Sequence, residues 1–281
     1  MQWHIARSVL PIGKRTIIMG VLNVTPDSFS DGAQFFSNEK ALAHAEQMIA
    51  EGADIIDVGG ESTRPGAELV SDEEELQRVL PVIKELAKRT EVPISIDTTK
   101  AVVARAALDA GAAIVNDISA LRFDFHVADE VARASAGLVL MHSRGTPATM
   151  QRLPPMANAL EEVTTGLRSS IAMAERRGVK RKSIVIDPGI GFGKTPDQNL
   201  ELITGLDHFA EAFPDLPLLI GTSRKSFIGR LLENADASNR LHGTMASITA
   251  AVLHGAHIVR VHDVKAAVET VRIADAIKHA R

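Results

Sequence analysis

The chain has 281 residues, of which 45% are apolar, and this suffices for a sizeable core in one barrel-sized domain. The net charge of −4 is mild and the basic residues are scattered, so no surface for nucleic acid is expected. Cysteine is absent, which excludes disulfides and thiolate metal sites and suits a reducing cytoplasm. No segment resembles a signal peptide or a membrane span, so we expect a cytoplasmic protein without a membrane partner.

Apolar runs predict eight core strands that alternate with helices. Residues 1–15 precede them and predict a short N-terminal strand pair or a lid. The eight strands are predicted at 16–22, 54–58, 93–96, 113–115, 138–141, 184–186, 216–220 and 257–262. Helical spacing and capping residues favour helices at 38–52, from 71 onward, at 99–111, up to 178 and at 264–277. This alternation and the chain length favour an α/β fold, a single (β/α)8 TIM barrel over residues 1–281.

Polar residues stand at the ends of these apolar strands. Buried polar groups are costly without a partner, and active sites of (β/α)8 barrels lie at the carboxyl ends of the strands. The residues at these ends are Asn23, Asp97, Asn116, His142, Asp187, Lys225, Arg260 and His262. We therefore expect a site where these side chains meet. For His142 the expected role is packing or a loop hydrogen bond.

The segment 183–194 shows this pattern most clearly. Its β-branched run ends at Asp187, after which Pro188 lacks the N–H that would continue a ladder, and three glycines follow at alternate positions. The spacing fits neither a phosphate-binding P-loop, whose first glycine would fall on Pro188, nor the dinucleotide fingerprint. A rigid strand therefore presents an acid beside a loop that can approach a ligand closely. A tight turn without chemistry, with Asp187 as a loop anchor, is the alternative.

Three segments repeat one local pattern, in which Gly-Ala is followed by a short apolar strand and then a polar residue. The repeats are 52–57, 111–116 and 255–260, and they end at Asp57, Asn116 and Arg260 in the same register. Ordinary helix-to-strand loops explain the glycine and alanine. They do not explain why an apolar strand should end in an acid, an amide or a guanidinium.

The strand ends carry two kinds of chemistry. One group, Asp97, Asn116 and Asp187 with Lys225, suits a flat heterocycle with several N–H donors, because unpaired buried polar groups are costly. The other group, Asn23, Arg260 and His262 with loop donors such as Ser62 and Thr63, suits phosphate oxygens and a hard cation.

The motifs together resemble the dihydropteroate synthases of the folate pathway. The matching segments lie at 19–32, 57–66, 95–98, 116–119, 141–142, 187–195, 223–226 and 260–264. They follow the family's order and cover nearly the whole chain. Small departures are Ala33, where a second glycine is usual, and Ser143 and Arg144 in the loop after the fifth strand.

The resemblance implies condensation of a dihydropterin-methyl diphosphate with 4-aminobenzoate by a dissociative, Mg²⁺-assisted substitution, in a cytoplasmic homodimer. The implied pterin ligands are Asp97, Asn116, Asp187 and Lys225. The implied diphosphate ligands are Asn23, Thr63, Arg260 and His262, with Mg²⁺ on Asn23. The implied 4-aminobenzoate site, where sulfonamides would compete, contains Thr63, Pro65, Phe192 and Ser226. The implied catalytic residues are Asp31, Asp97, Lys225, Arg260 and His262, and the mobile loops would carry Phe29, Asp31 and Arg64.

Two other functions are conceivable for such a barrel, and particular residues distinguish each of them from the synthase. A pterin-barrel methyltransferase could share Asp97, Asn116 and Asp187, but it should lack the Arg260–His262 pair and the Thr-Arg-Pro-Gly loop. A barrel that only binds a pterin would be expected to lose Asn23, Asp31 or Lys225. All of these residues are present here, so the synthase is the favoured prediction.

Overall fold

The computed structural model describes residues 1–6, 8–25, 34–62, 66 and 70–280, with the side chains of 34–37 excluded. Ten strands lie in this part of the chain. They are β1 Gln2–Ile5, β2 Ser8–Pro11, β3 Ile17–Asn23, β4 Ile55–Gly59, β5 Ile94–Asp97, β6 Ile114–Asp117, β7 Gly137–Met141, β8 Ile184–Asp187, β9 Leu219–Ile220 and β10 Ile258–Val261.

Strands β3 to β10 form one parallel sheet in the order β8-β7-β6-β5-β4-β3-β10-β9. The two ends of this sheet meet, because Ile186 forms a parallel bridge with Leu218, and the Ile186 N–H donates to the carbonyl of Pro217 at 3.0 Å. The sheet is therefore a closed eight-stranded barrel, which confirms the predicted (β/α)8 fold. The strand pair β1–β2 is antiparallel and separate, also as predicted.

Helices surround the barrel and connect its strands. They are α1 Gln34–Glu51, α2 Asp72–Arg89, α3 Ala101–Asp109, α4 Val127–Ala134, α5 Ala159–Arg176, α6 Pro196–Thr204, α7 Leu206–Ala212, α8 Ser226–Leu231, α9 Leu241–Leu253 and α10 Val264–His279. The cap predicted for α2 is present, since Ser71 Oγ accepts from the Glu74 N–H at 3.2 Å. None of the described helices combines the length and the apolar character needed to cross a membrane.

The seventh barrel strand is shorter than the predicted 216–220. Only Leu219–Ile220 pairs as a strand, and Leu218 contributes the single bridge that closes the barrel. Pro217 and His257 account for the difference, because the Pro217 nitrogen carries no hydrogen and the Leu218 N–H donates to His257 Nδ1 at 3.1 Å instead of to a ladder. The apolar run is therefore a poor measure of strand length at this position.

The lower part of the barrel interior is filled by two layers of side chains, as is usual in this fold. The lowest layer contains Ile55, Ile114, Val185 and Ile258, and the next contains Met19, Ser95, Val139 and Leu219. The strand pair β1–β2 covers this end of the barrel. Trp3 and Ile5 belong to the same buried cluster, and Trp3 Nε1 donates to the carbonyl of Ser183 at 2.8 Å. The strand pair thus seals the amino-terminal end of the barrel.

We predict that Trp3→Ala lowers the free energy of unfolding by about 3–5 kcal/mol, because it leaves a large cavity under the barrel and an unpaired Ser183 carbonyl. Urea denaturation measures this change. The control is Val9→Ala on the same strand pair, whose side chain is exposed and should alter stability by about 0.5 kcal/mol at most. An equally small loss for Trp3→Ala would show that the seal contributes little.

Candidate active site

One complete layer of the barrel interior is polar. It lies directly above the two mostly apolar layers, towards the carboxyl ends of the strands, and the even-numbered barrel strands β4, β6, β8 and β10 contribute one residue each. Its four residues are Asp57, Asn116, Asp187 and Arg260. Three of them are the final residues of the sequence repeats, so the equal register of the repeats places these side chains at one height.

Arg260 holds this layer together. Its Nε donates to Asp57 Oδ2 at 2.6 Å, and its Nη2 donates to Asp97 Oδ2 at 2.6 Å, on the layer above. Asn116 Nδ2 donates to the same Asp57 oxygen at 3.0 Å. Asp57 is fully buried, and its second oxygen has no partner among the described residues. The polar ends of four strands are therefore joined, and the second oxygen of Asp57 is buried without a donor from the described residues.

Asp57 is a residue whose role could not be assigned from the sequence. Its signal in the sequence is the repeat, which aligns it with Asn116 and Arg260. The structure makes it the common partner of both.

Asp187 and Lys225 form the opposite side of the site. Asp187 accepts from the Gly189 N–H at 2.6 Å, which leaves its other carboxylate oxygen available. Lys225 Nζ donates to the carbonyl of Ile190 and lies 4.7 Å from the centre of the Phe192 ring. The glycine loop after β8 therefore supplies both a carbonyl and an aromatic face to this ammonium.

The charges of this cluster do not balance. Three carboxylates, Asp57, Asp97 and Asp187, face two cations, Arg260 and Lys225, so one negative charge is in excess when every group is ionised. Burial raises the pKa of Asp97 to about 7, and Asp57 adds to the increase, although Arg260 opposes it. Burial lowers the pKa of Lys225 to about 8, although Asp187 opposes the change. Near neutral pH the excess charge is therefore relieved by a proton on Asp97.

The second predicted group lies beside this cluster. Asn23 and His262 line a cavity of about 670 Å³ between β3, α1 and the start of α10. His262 Nδ1 lies 2.9 Å from Ser223 Oγ. Gly59 separates the two groups, because a Cβ placed there would lie 3.7 Å from Asp97 Oδ2 and 3.9 Å from Asn23 Oδ1. The glycine therefore leaves the space between Asp97 and Asn23 free of a side chain.

Known proteins resemble this chain along nearly its whole length. A model for "Pterin binding enzyme" matches residues 19–262. The dihydropteroate synthase of Escherichia coli strain K12 is 47% identical over 264 residues, covering 94% of this chain and 92% of the relative. The Yersinia pestis dihydropteroate synthase, solved with a sulfonamide drug complex, is 40% identical with a TM-score of 0.92, covering 99% of this chain and 100% of the other. The Xanthomonas albilineans enzyme, solved with 4-aminobenzoic acid, is 40% identical with a TM-score of 0.91 and 99% coverage of both chains.

The chain belongs to the dihydropteroate synthase family. This membership confirms the resemblance seen in the sequence, and with it the prediction of a transferase of folate synthesis. The predicted pterin residues of the family, Asp97, Asn116, Asp187 and Lys225, lie together in the structure. Arg260, predicted as a diphosphate ligand, is bound by acids of this same group. Its Nη1 has no partner among the described residues and is free to donate to an anion.

The remaining predicted residues of the family divide into two sets. Phe192 lies next to Lys225, and Ser226 is the first residue of α8, directly after Lys225. These two residues are therefore close to the pterin group. The others lie outside the described residues, and they are Phe29, Asp31, Thr63, Arg64 and Pro65.

The described side chains do not enclose a metal ion, so a bound Mg²⁺ would need most of its ligands from elsewhere. No group of three or more His, Cys, Asp or Glu side chains in these residues could enclose a metal ion. Asn23 offers one amide oxygen at the cavity wall. Mg²⁺ often keeps several waters and binds through one or two protein oxygens together with substrate phosphates. The residues present therefore fit a Mg²⁺ that is held mainly by a diphosphate, with Asn23 as the protein ligand.

We predict that Asp97 makes the stability of the protein depend on pH. The folded protein holds a proton on Asp97 up to about pH 7, whereas the unfolded chain releases it near pH 3.9. The stability contribution is therefore complete at low pH and is lost as the pH rises through about 7. Between about pH 5 and pH 7, the wild type should lose up to about 1.4 kcal/mol per pH unit more than Asp97→Asn.

Urea denaturation at several pH values measures this slope. The matched control is Asp109→Asn, the same substitution at an exposed residue that pairs with Arg133. It should keep the wild-type slope. Equal slopes for the wild type and Asp97→Asn would show that Asp97 is already ionised throughout this range.

Proposed function

We propose that this chain condenses (7,8-dihydropterin-6-yl)methyl diphosphate with 4-aminobenzoate and releases diphosphate. The observation that carries the proposal is the polar layer of the barrel, in which Asp57 and Asn116 meet Arg260 beside Asp187. The pterin-binding family model spans this layer, and a relative of similar fold contains 4-aminobenzoic acid. These are the two ring systems that the reaction joins.

The pterin ring would lie on the polar layer. Its amino group and ring N–H are donors from which the free oxygen of Asp187 can accept, whereas Asp57, which is fully buried, would support the site through Arg260 and Asn116. Lys225 and Asn116 supply donors for the ring carbonyl and ring nitrogens. A flat polar heterocycle is thereby fixed on both edges, since buried hydrogen-bonding groups are costly when left unpaired.

The diphosphate would lie past Gly59, towards Asn23 and His262. The free Nη1 of Arg260 would donate to the leaving group. Mg²⁺ bound through Asn23 and the phosphate oxygens would stabilise the negative charge of the departing diphosphate. All other contacts to the diphosphate would come from residues of the protein itself.

The excess negative charge of the site suits a dissociative substitution. The C–O bond to diphosphate breaks first, and positive charge spreads from the methylene into the dihydropterin ring. The carboxyl groups of Asp57, Asp97 and Asp187 would stabilise this charge as it develops, and Asp97 would do so once it has released the proton that it holds up to about pH 7. The amine of 4-aminobenzoate then forms the C–N bond and releases its proton to solvent or diphosphate. It needs no protein nucleophile, because an aromatic amine is already uncharged at neutral pH.

Sulfonamides are a further class of expected ligand. A sulfonamide drug is bound by the Yersinia pestis relative, and we propose that sulfonamides compete with 4-aminobenzoate beside Phe192 and Ser226. The homodimer and the cytoplasmic location stay predictions.

The central test is substrate dependence. We predict that diphosphate is released only when the dihydropterin diphosphate, 4-aminobenzoate and Mg²⁺ are all present, and that dihydropteroate forms in equal amount. A coupled diphosphate assay with each component omitted, followed by mass spectrometry of the product, measures both. Release without 4-aminobenzoate at the full rate would identify a hydrolase and contradict the proposal.

A second test concerns the pterin alone. We predict that Asp187→Asn weakens the binding of a pterin analogue by about tenfold or more, because an amide donor would face the donors of the ring. Isothermal titration calorimetry measures the affinity. The control is Asp197→Asn, the same change at an exposed residue of α6, which should bind the analogue as the wild type does. Unchanged affinity in Asp187→Asn would remove Asp187 from the pterin site.

A further inference from the structure

Lys194, at the end of the glycine loop, is a buried lysine that the proposed reaction does not use. Its residue is 7% exposed, and no carboxylate of the described residues lies within ion-pair distance. The three N–H donors of its ammonium meet three acceptors: His142 Nδ1 at 3.2 Å, the His142 carbonyl at 3.1 Å and the Phe192 carbonyl at 3.1 Å. Burial lowers the pKa of Lys194 well below its usual value. Because burying a charged ammonium costs free energy, we expect Lys194 to have a structural role here.

His142 is the fixed partner of Lys194. Burial lowers the pKa of His142 to about 2, and Lys194 adds to the decrease, so the ring is neutral. With Nδ1 accepting from Lys194, the ring proton lies on Nε2. That side of the ring packs on α5, where a Cβ added to Gly166 would lie 2.7 Å from His142 Cδ2. His142 therefore anchors the ammonium to β7 and α5 and cannot turn away from it.

Phe192 is the part of the loop that this ammonium restrains. It stands between Gly191 and Gly193, whose φ angles of +85° and +70° are ones that glycine adopts freely. A residue between two glycines has little intrinsic preference for one orientation. The Phe192 N–H donates to the Gly189 carbonyl at 3.2 Å within the loop, and the bond from Lys194 to the Phe192 carbonyl adds the restraint that ties this residue to His142. The neighbouring glycines have separate anchors in Asn199 and Arg144.

The other end of Phe192 faces the reaction site. Its ring lies 4.7 Å from Lys225 Nζ, and Lys225 precedes Ser226 at the start of α8. A rotation of the backbone at Phe192 would carry the ring away from this ammonium. It would open the wall that Phe192 and Ser226 are proposed to form around 4-aminobenzoate, whereas the polar layer under the pterin would keep its own bonds.

We propose that Lys194 is a positioning residue for the 4-aminobenzoate site: its ammonium, held by His142, fixes Phe192 against Lys225. The inference rests on the proposed function for the identity of the ligand, but the restraint on the loop is independent of it. The sequence places Lys194 at the end of an incomplete P-loop motif. In this structure its ammonium binds protein carbonyls and an imidazole instead of a phosphate.

The absence of cysteine from the chain permits a test by chemical rescue. In Lys194→Cys the new thiol is the only one, so it can be alkylated selectively in the unfolded chain before refolding. Treatment with 2-bromoethylamine gives an aminoethyl thioether that nearly restores the lysine. Treatment with 1-bromopropane gives a side chain of the same length without the ammonium. Lys182→Cys, at an exposed lysine, is the control for both treatments, and Lys194→Gln, purified in folded form, avoids refolding.

Steady-state kinetics give the first measurement. In the propyl form and in Lys194→Gln, the KM for 4-aminobenzoate should rise about tenfold or more, as expected when a contact residue is misplaced. The KM for the pterin diphosphate should change by less than about twofold. The aminoethyl form should recover the KM for 4-aminobenzoate to within about threefold of the wild type. An equal rise for both substrates, or no recovery in the aminoethyl form, would overturn the proposal.

Hydrogen–deuterium exchange of residues 188–195, without substrates, gives the second measurement. Exchange in this segment should be faster in the propyl form and normal in the aminoethyl form. Because this result needs no turnover, it tests the restraint even if the wild type made no dihydropteroate. Identical exchange in the two forms would show that Lys194 does not hold the loop.

Discussion

The pairing of Arg260 with two carboxylates is the interaction on which the centre of this barrel depends. Removing two acids and a guanidinium from water is costly, and that cost is repaid only when the geometry satisfies most of the donors and acceptors. Here one guanidinium spans Asp57 and Asp97 on neighbouring strands, and Asn116 supports Asp57 from a third. The arrangement also fixes the place where positive charge on a ligand would be stabilised, because the carboxylates outnumber the cations around them and cannot move apart.

The interior is organised by height along the barrel axis. Two layers of mostly apolar side chains fill the lower part, and the strand pair β1–β2 closes it with Trp3. The next layer is entirely polar, so the change from core to site occurs between one residue of a strand and the inward residue two positions later. On β4 this change is from Ile55 to Asp57, and on β10 it is from Ile258 to Arg260. Stability and chemistry therefore use the same strands without sharing side chains.

Most of this arrangement could be predicted from the sequence because it depends on local patterns. Apolar runs with polar ends gave the strands and the height of Asp97, Asn116 and Asp187, and the repeat placed Asp57 beside them. The partners of Arg260 could not be predicted, since they come from strands more than 160 residues away in the chain. The same is true of Lys194 and His142, whose contact depends on how two loops cross. The predicted length of β9 was wrong because the N–H groups available before Leu219, starting with the one that Pro217 lacks, set where the strand begins. Hydrophobic periodicity carries no information about these groups.

The closed amino-terminal end of the barrel has a consequence for the order in which ligands bind and leave. A tube that is sealed at one end has a single entrance, so whatever binds deepest must arrive first and depart last. The polar layer that suits the pterin lies below Phe192 and Ser226, which lie on the loop and helix at the carboxyl ends of the strands. With 4-aminobenzoate at that upper level, as proposed, a pterin beneath it would be retained until the second ring had left. Trp3, in the seal at the opposite end of the barrel, would thereby favour a binding order in which the pterin enters first.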